Sequence, residues 1–179
     1  MKTILFVLRL ALTLLAITAV VAVALAGVNM ITAPAIAELN AQNTQAAIQA
    51  VLPGGGEELA SFPAVDLVSK VYASDSGYAV QVTPGGFDNT ITMMVGVDKS
   101  GNVLGIDVIS HTETAGLGAV SDADTPAGIA FREQFKGASG SVSVTKDGGQ
   151  IDAITGATIT SRAVCAGVNA ALECVAQMG

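Results

Sequence analysis

The sequence predicts an α+β domain with a mainly antiparallel sheet and flanking helices, preceded by a single transmembrane helix. A long uncharged run lies near the N-terminus, alternating apolar runs joined by short turns fill the middle, and helical apolar patterns lie around them. Strands that cluster in this way, with helices before and after them, are typical of α+β folds.

The first element is the uncharged run from Leu10 to Ile31, LALTLLAITAVVAVALAGVNMI. As a helix it would extend about 33 Å, enough to cross a hydrocarbon core of about 30 Å. Lys2 and Arg9 precede it, and no Lys or Arg follows until Lys70. This asymmetry predicts a single-pass membrane protein with a cytoplasmic N-terminus and an extracytoplasmic domain.

A cleaved signal peptide is the alternative interpretation of the same segment. Ala24-Leu25-Ala26 fits a small-residue cleavage site, and two basic residues precede the apolar run. The run is longer than the usual core of a signal peptide, which favours a retained anchor. Both interpretations place the following domain outside the cytoplasm.

A helix is expected to continue from Pro34 to Leu52 and to stop at Pro53-Gly54-Gly55-Gly56. We therefore predict three segments. They are a cytoplasmic N-terminus with the transmembrane helix (1–31), a helical stalk with a glycine-rich joint (32–56) and the extracytoplasmic domain (57–179).

Within the domain, alternation predicts strands over Thr90–Val97 and Val103–Ser110, joined across the turn at 98–102 as a hairpin. A further strand is expected over Tyr78–Thr83. Shorter strands are predicted at Ser141–Val144 and Gln150–Ala153.

Two helices are expected in the second half of the domain. Pro126 at a first-turn position begins a helix that reaches Phe135. Thr160 or Ser161 is expected to cap the final helix. The apolar stripe of this final helix consists of Val164, Val168, Leu172 and Val175.

The charge of the domain excludes one class of partner. All 15 Asp and Glu residues lie after Thr32, together with 6 of the 8 Lys and Arg residues. Such an acidic surface repels phosphate backbones, so we expect no nucleic-acid binding. The two cysteines, Cys165 and Cys174, lie in one predicted helix on opposite faces and are interpreted as small buried side chains.

The segment from Asp152 to Ser161 places four hydroxyl side chains around a Gly-Ala pair, between a short strand and a helix start. A glycine lets the backbone approach a ligand, and free N–H groups at a helix start favour a phosphate. The segment can therefore hold a phosphate by hydrogen bonds or through an ester. Taken alone, the stretch Thr155–Thr158 is more typical of an ordinary turn before a helix.

The second polar segment, from His111 to Gly118, follows the best predicted strand. Its two glycines allow close approach to a flat ligand, and Glu113 offers a hydrogen-bond acceptor. His111 is the only histidine in the chain. Taken alone, this segment is also typical of a polar surface connection.

Together the two segments resemble one family. Asp152-x-x-Thr155-Gly156-Ala157-Thr158 resembles the flavinylation motif of covalent FMN-binding domains, and the His111–Gly118 segment resembles the flavin-side loop of the same family, with Ala115 where that loop usually has Pro. Such domains occur in the G subunit of the Rnf ferredoxin:NAD oxidoreductase and in the C subunit of the sodium-pumping NADH:quinone oxidoreductase. The compact length and the helix exit resemble the Rnf G subunit more closely.

The resemblance implies a cofactor and its site. FMN would be joined to Thr158 as a phosphoester by a separate flavin transferase, and no metal is expected in this chain. Asp152, Thr155, Gly156 and Ala157 would be recognised by the transferase. Thr160 and Ser161 would cap the helix beside the phosphate, and Glu113, Thr114 and Leu117 would lie near the isoalloxazine.

The implied function is electron relay within an ion-translocating membrane complex, with the other membrane subunits as partners and no independent catalytic site. A free-standing extracytoplasmic flavoprotein and a C-type subunit of the quinone reductase are alternatives within the family. A flavin-free membrane-tethered binding domain is the alternative from another class.

Overall fold

The computed structural model describes residues 2–178, so Met1 and Gly179, the outer ends of the first and last predicted segments, lie outside the described part. The chain divides into two compact units, one ending at Gln42 and the other beginning at Asn43. The first unit is helical, and the second contains the sheet, the other helices and the candidate site.

Helix α1 (Lys2–Val51) continues without interruption through Pro34. Its most apolar 18-residue window has a mean hydropathy of 2.5 and is not buried in the protein. The hydroxyls of Thr13, Thr18 and Thr32 donate to carbonyls of the same helix at 2.8 to 3.1 Å. Hydroxyls satisfied in this way need no water partner, so the segment suits a lipid environment.

Five strands form one antiparallel sheet, in which each strand pairs with the next one along the chain. The prediction of a mainly antiparallel α+β domain is confirmed, including the hairpin of the last two strands. The first two strands were not predicted, because they lie in segments without a strong apolar alternation. The strands are β1 (Glu57–Glu58), β2 (Val68–Ala73), β3 (Gly77–Val82), β4 (Thr92–Asp98) and β5 (Val103–Ser110).

Both faces of the sheet are covered. On one face, helix α3 (Thr158–Ala176) and neighbouring segments bury the alternating side chains of β4, namely Met93, Val95 and Val97. On the other face, the last turn of α1 brings Ile48 and Leu52 against Met94. Burial on both faces explains the unbroken apolar run in β4.

The compact unit begins earlier in the chain than the predicted domain, because the end of α1 packs on the sheet. The predicted domain begins at residue 57, whereas in the structure Ala47 and Val51 already belong to a buried cluster with Tyr72 and Ala79 of the sheet. The apolar residues of this helix end recur at helical spacing, and they are buried here rather than exposed in a stalk.

Two further helices support the site. Helix α2 (Pro126–Glu133) has Thr125 as its N-cap, whose hydroxyl accepts from the Gly128 N–H at 3.2 Å. Helix α3 (Thr158–Ala176) begins after Ala157, without a side-chain cap. The prediction that Thr160 or Ser161 caps this helix is wrong, because both residues lie within its first turn and their hydroxyls bond elsewhere. The predicted apolar stripe of α3 is buried.

The two short strands predicted after α2 do not join the sheet. Their segments make one isolated parallel bridge, between Val144 and Ile151. A 3-10 helix (Thr145–Asp147) lies between them and ends at Gly148, which has a φ of +84°. A connection this short cannot support a regular parallel ladder.

Candidate functional site

A cavity of about 290 Å³ lies where three loops of the second unit meet the start of α3. This volume is near the lower limit of the range for small-molecule pockets. One loop joins β3 to β4, one follows β5, and one precedes α3. The cavity is lined by Phe87, Glu113, Thr114, Leu117, Gly118, Lys146, Gly156, Ala157, Thr158, Ile159 and Thr160.

Glu113 joins these loops through its carboxylate. The residue is 8% exposed, and Oε1 accepts from the backbone N–H groups of Phe87 at 2.8 Å and Asp88 at 3.3 Å. Oε2 accepts from the Thr160 hydroxyl at 2.5 Å. A buried carboxylate requires such donors. Glu113 therefore uses its oxygens to hold the walls of the cavity together.

Two glycines allow the carboxylate to lie this close to the backbone. A Cβ at Gly86 would collide with Oε1 of Glu113, and a Cβ at Gly118 would collide with Oε2 and approach Thr160 Oγ1 to 2.6 Å. Neither position tolerates a side chain without a shift of its neighbours. The two glycines are thus part of the arrangement that holds the Glu113 carboxylate.

Thr158 is the first residue of α3 and lines the cavity. Its side chain is partly exposed, and its Oγ1 accepts from Lys146 Nζ at 3.1 Å. The start of a helix carries a partial positive charge and unpaired N–H groups, both of which favour an anion. The hydroxyl of Thr158 therefore lies at a position suited to a phosphate group.

Ser161 fixes the turn that precedes this hydroxyl. It is fully buried; its Oγ accepts from the Ile154 N–H at 3.0 Å and donates to the Ala157 carbonyl at 2.9 Å. Gly156 has a φ of +78°, in the left-handed region that favours glycine. The buried Ser161 thus stabilises the turn from Ile154 to Ala157 through these two hydrogen bonds.

Asp152 and Thr155 lie on the other side of the same loop. They border a neighbouring groove next to α2, together with Gln134. The Gln134 amide accepts from the backbone N–H of Asp152 at 2.7 Å and donates to its carbonyl at 3.2 Å. Both side chains are exposed, so this half of the motif faces a different surface from Thr158.

The structure thus brings most of the predicted site residues to one cavity. Ser161 lies beneath it, and Asp152 and Thr155 lie beside it. His111 is outside it, with Nδ1 accepting from the Glu113 N–H at 3.2 Å and Nε2 lying 3.7 Å from Asp122 Oδ2. The residues missed by sequence reasoning are Phe87, Lys146 and Ile159.

An ion pair links the 3-10 helix to α3 beside the cavity. The guanidinium of Arg162 donates to both carboxylate oxygens of Asp147 at 2.7 and 2.6 Å. These hydrogen bonds hold the pKa of Asp147 below its ordinary value. Both side chains are exposed to solvent to a large extent, so the pair positions the two elements more than it stabilises the fold.

The fold and the cavity together define a class of protein. The apolar side chains of Phe87, Leu117 and Ile159 suit a flat ring system, and the hydroxyl, the ammonium and the helix start suit a phosphate. The FMN-binding domain family matches residues 86–173, which include both polar loops. The second unit accordingly contains an FMN-binding domain.

Similarity over nearly the full length defines the particular family. The G subunit of the Na(+)-translocating ferredoxin:NAD(+) oxidoreductase complex of Acetobacterium woodii is 34% identical over 93% of this chain and 90% of that relative. The chain therefore belongs to the G subunits of Rnf-type ion-translocating oxidoreductase complexes.

Shorter matches agree with this family. The G subunit of the ion-translocating oxidoreductase complex of Vibrio vulnificus is 42% identical over 52% of this chain and 46% of its own length. The G subunit of the proton-translocating ferredoxin:NAD(+) oxidoreductase complex of Clostridium ljungdahlii is 39% identical over 57% of each. These matches cover about half of each relative.

Proposed function

We propose that this chain carries FMN as a phosphoester on Thr158 and relays electrons through it. The supporting observation is the state of the three hydroxyls in the first turn of α3. The Thr160 hydroxyl donates to Glu113, and the Ser161 hydroxyl donates to a carbonyl. The Thr158 hydroxyl instead accepts a hydrogen bond from Lys146. This bond does not use the hydrogen of the Thr158 hydroxyl. Thr158 is therefore the hydroxyl best placed to react.

Attachment requires a balanced group transfer. The Thr158 oxygen attacks the phosphorus on the riboflavin side of FAD and forms an ester bond. The pyrophosphate P–O bond breaks, AMP leaves, and the hydroxyl proton passes to a base of the flavin transferase. Asp152 and Thr155 face the groove beside α2, where that enzyme can reach them without entering the cavity.

The other residues hold the cofactor site in shape. Glu113 and the two glycines fix the walls, and Phe87, Leu117 and Ile159 provide apolar contact area. FMN supplies the redox chemistry when bound, and the protein supplies orientation and electrostatics. A covalent tether retains the cofactor in a compartment where released FMN would be diluted.

The chain is an electron-transfer subunit of an oxidoreductase complex, as its family membership implies. Its partners are other subunits of that complex. The long apolar helix, together with relatives that are subunits of ion-translocating complexes, identifies it as a membrane protein. We propose that Lys2 and Arg9 keep the N-terminus in the cytoplasm and that the FMN domain lies outside. A reporter enzyme fused after residue 179 that folds only outside the cytoplasm should be active; activity of a reporter that works only inside would contradict this orientation.

The attachment is tested by fluorescence of the denatured protein band under ultraviolet light. The full chain is expressed with its flavin transferase, beside Thr158→Ala and, as a matched control, Thr145→Ala, an exposed threonine outside the cavity lining. We expect fluorescence in the parent and the control and none in Thr158→Ala. A dark parent band, from cells that flavinylate another protein, would refute the covalent link and favour a flavin-free binding domain.

A further inference from the structure

Among the described residues that line the cavity, Lys146 has the only cationic side chain. It lies in the middle of the 3-10 helix, and its Nζ is 3.1 Å from Thr158 Oγ1. The other charged residue of the lining is Glu113, whose carboxylate already accepts three hydrogen bonds. The positive charge of the cavity is thus placed at the hydroxyl of Thr158.

The position of Lys146 is fixed by the residue that follows it. Asp147 binds Arg162 with two hydrogen bonds, and Arg162 lies four residues after Thr158, on the same face of α3. Two successive residues of the 3-10 helix therefore contact two residues one turn apart on α3. This double contact aligns the ammonium with the start of the helix.

An exposed lysine bonded to a threonine contributes little to stability, because both groups bond equally well to water. The formal net charge of the chain is −7. The positive charge beside the Thr158 hydroxyl is therefore opposite in sign to the net charge of the chain. A phosphate at Thr158 would be negative, and the ammonium lies within hydrogen-bond distance of the oxygen that would bear it. The geometry therefore fits a charge-assisted contact to an anion.

We infer that Lys146 is the phosphate-pairing residue of this site, with Asp147 and Arg162 as its positioning residues. Its ammonium attracts the flavin phosphate to Thr158 and neutralises the ester once the bond has formed. Because Lys146 donates to the Thr158 oxygen, the hydroxyl hydrogen stays available to the base of the transferase. The inference rests on the proposed FMN site.

The first test isolates the phosphate without any covalent bond. The full chain carrying Thr158→Val is titrated with FMN and with riboflavin, which lacks the phosphate, and the ratio of the two Kd values is measured by flavin fluorescence. Adding Lys146→Met should reduce the preference for FMN about fivefold at low salt, as for an exposed charge pair. Lys146→Arg should preserve most of it, and Lys99→Met, a charge removal in the distant β4–β5 turn, should leave it unchanged.

The second test measures the initial rate of flavin attachment to chains that retain Thr158. Lys146→Met should slow attachment about fivefold at low salt, with rescue by Lys146→Arg and a smaller difference at high salt. If Lys146→Met has the same FMN preference and the same attachment rate as the parent, the inference is overturned, while the proposed FMN site stands. A parent that is never labelled refutes the covalent link instead, and the Kd ratio then decides the role of Lys146. Absence of both labelling and FMN binding overturns both proposals.

Discussion

The two polar loops that meet at the cavity use their side chains in opposite ways. In the loop after β5, Glu113 is buried and accepts hydrogen bonds from two backbone N–H groups and Thr160. Where the loop before α3 leads into the helix, the first helical residue, Thr158, is partly exposed and its oxygen contacts the exposed Lys146. The first loop shapes the cavity, and the second presents a reactive group at its edge.

This difference predicts that one segment determines the stability of the fold and the other determines attachment of the cofactor. Loss of a buried, fully bonded group leaves its partners without hydrogen bonds, which is expensive in free energy. Loss of an exposed hydroxyl removes little that water cannot replace. Substitutions in the first loop should therefore lower the stability of the fold, whereas substitution of Thr158 should prevent covalent attachment of the cofactor and leave the fold nearly unchanged.

The largest effect is expected for Thr158→Ala, which should abolish covalent flavin completely. Relative to the parent produced without the flavin transferase, its free energy of unfolding should change by less than about 0.5 kcal/mol, as is usual for substitutions at partly exposed sites. Flavin content and thermal unfolding of the full chain in detergent, followed by circular dichroism, check both statements. A large loss of stability would show that Thr158, like Glu113, has a structural role.

Next in size is Glu113→Ala, which leaves the N–H of Phe87, the N–H of Asp88 and the hydroxyl of Thr160 without their acceptor. We expect a loss of about 2–4 kcal/mol in the free energy of unfolding. Glu113→Gln keeps one acceptor oxygen and should lose less. The matched control is Glu133→Ala, which removes an exposed carboxylate paired with Lys136. Equal stability of Glu113→Ala and this control would contradict the role assigned to the buried carboxylate.

Two glycines that follow β5 differ in what surrounds them, and smaller effects on stability are expected for both. Gly118→Ala forces a methyl group against the Glu113 carboxylate and should cost about 1–3 kcal/mol by overpacking. Gly116→Ala meets open space but must adopt a φ near +76°, which should cost about 1 kcal/mol. Flavin attachment should fall more in Gly118→Ala, because Gly118 lines the cavity whereas Gly116 lines the neighbouring groove. Equal attachment in the two variants would refute this distinction.

The elements with strong periodicity were predictable from the sequence. The alternation in β4 and β5 and the helical stripe of α3 fixed both type and position to within a few residues. Strand β2 was missed because its apolar residues do not alternate regularly, and the strands predicted around the 3-10 helix were too short to form a ladder. The α1 end was assigned to a stalk because its burial depends on a sheet face that local pattern does not reveal.

The site was predictable where residues close in the chain act together. Thr158, Gly156 and Ala157 lie in one motif, and the structure places them on one cavity. The bond from Lys146 to Thr158 spans a 3-10 helix and a turn, and Phe87 reaches the cavity from another loop. Such contacts depend on tertiary placement. Capping was mispredicted for the same reason, because the hydroxyl of Thr160 is drawn to Glu113 from a distant loop.

The smallest expected effect concerns the ion pair that aligns Lys146. The pKa of Asp147 is lowered because Arg162 donates two hydrogen bonds to its carboxylate. A depressed pKa means that the pair stabilises the fold above the unfolded-state pKa of about 3.9 and that this contribution disappears as the pH falls through the lower folded-state pKa.

Asp147→Asn should therefore lower the thermal unfolding midpoint slightly at neutral pH, and the gap between variant and parent should close in acid. High salt should narrow the gap as well, since both groups are exposed. The same substitution in an Arg162→Gln background should have no effect, because the partner is already absent. Thermal unfolding of all four chains, from pH 7 down to below the ordinary range of an aspartate, measures this. A gap that persists in acid, or in the Arg162→Gln background, would show that Asp147 acts through some contact other than Arg162.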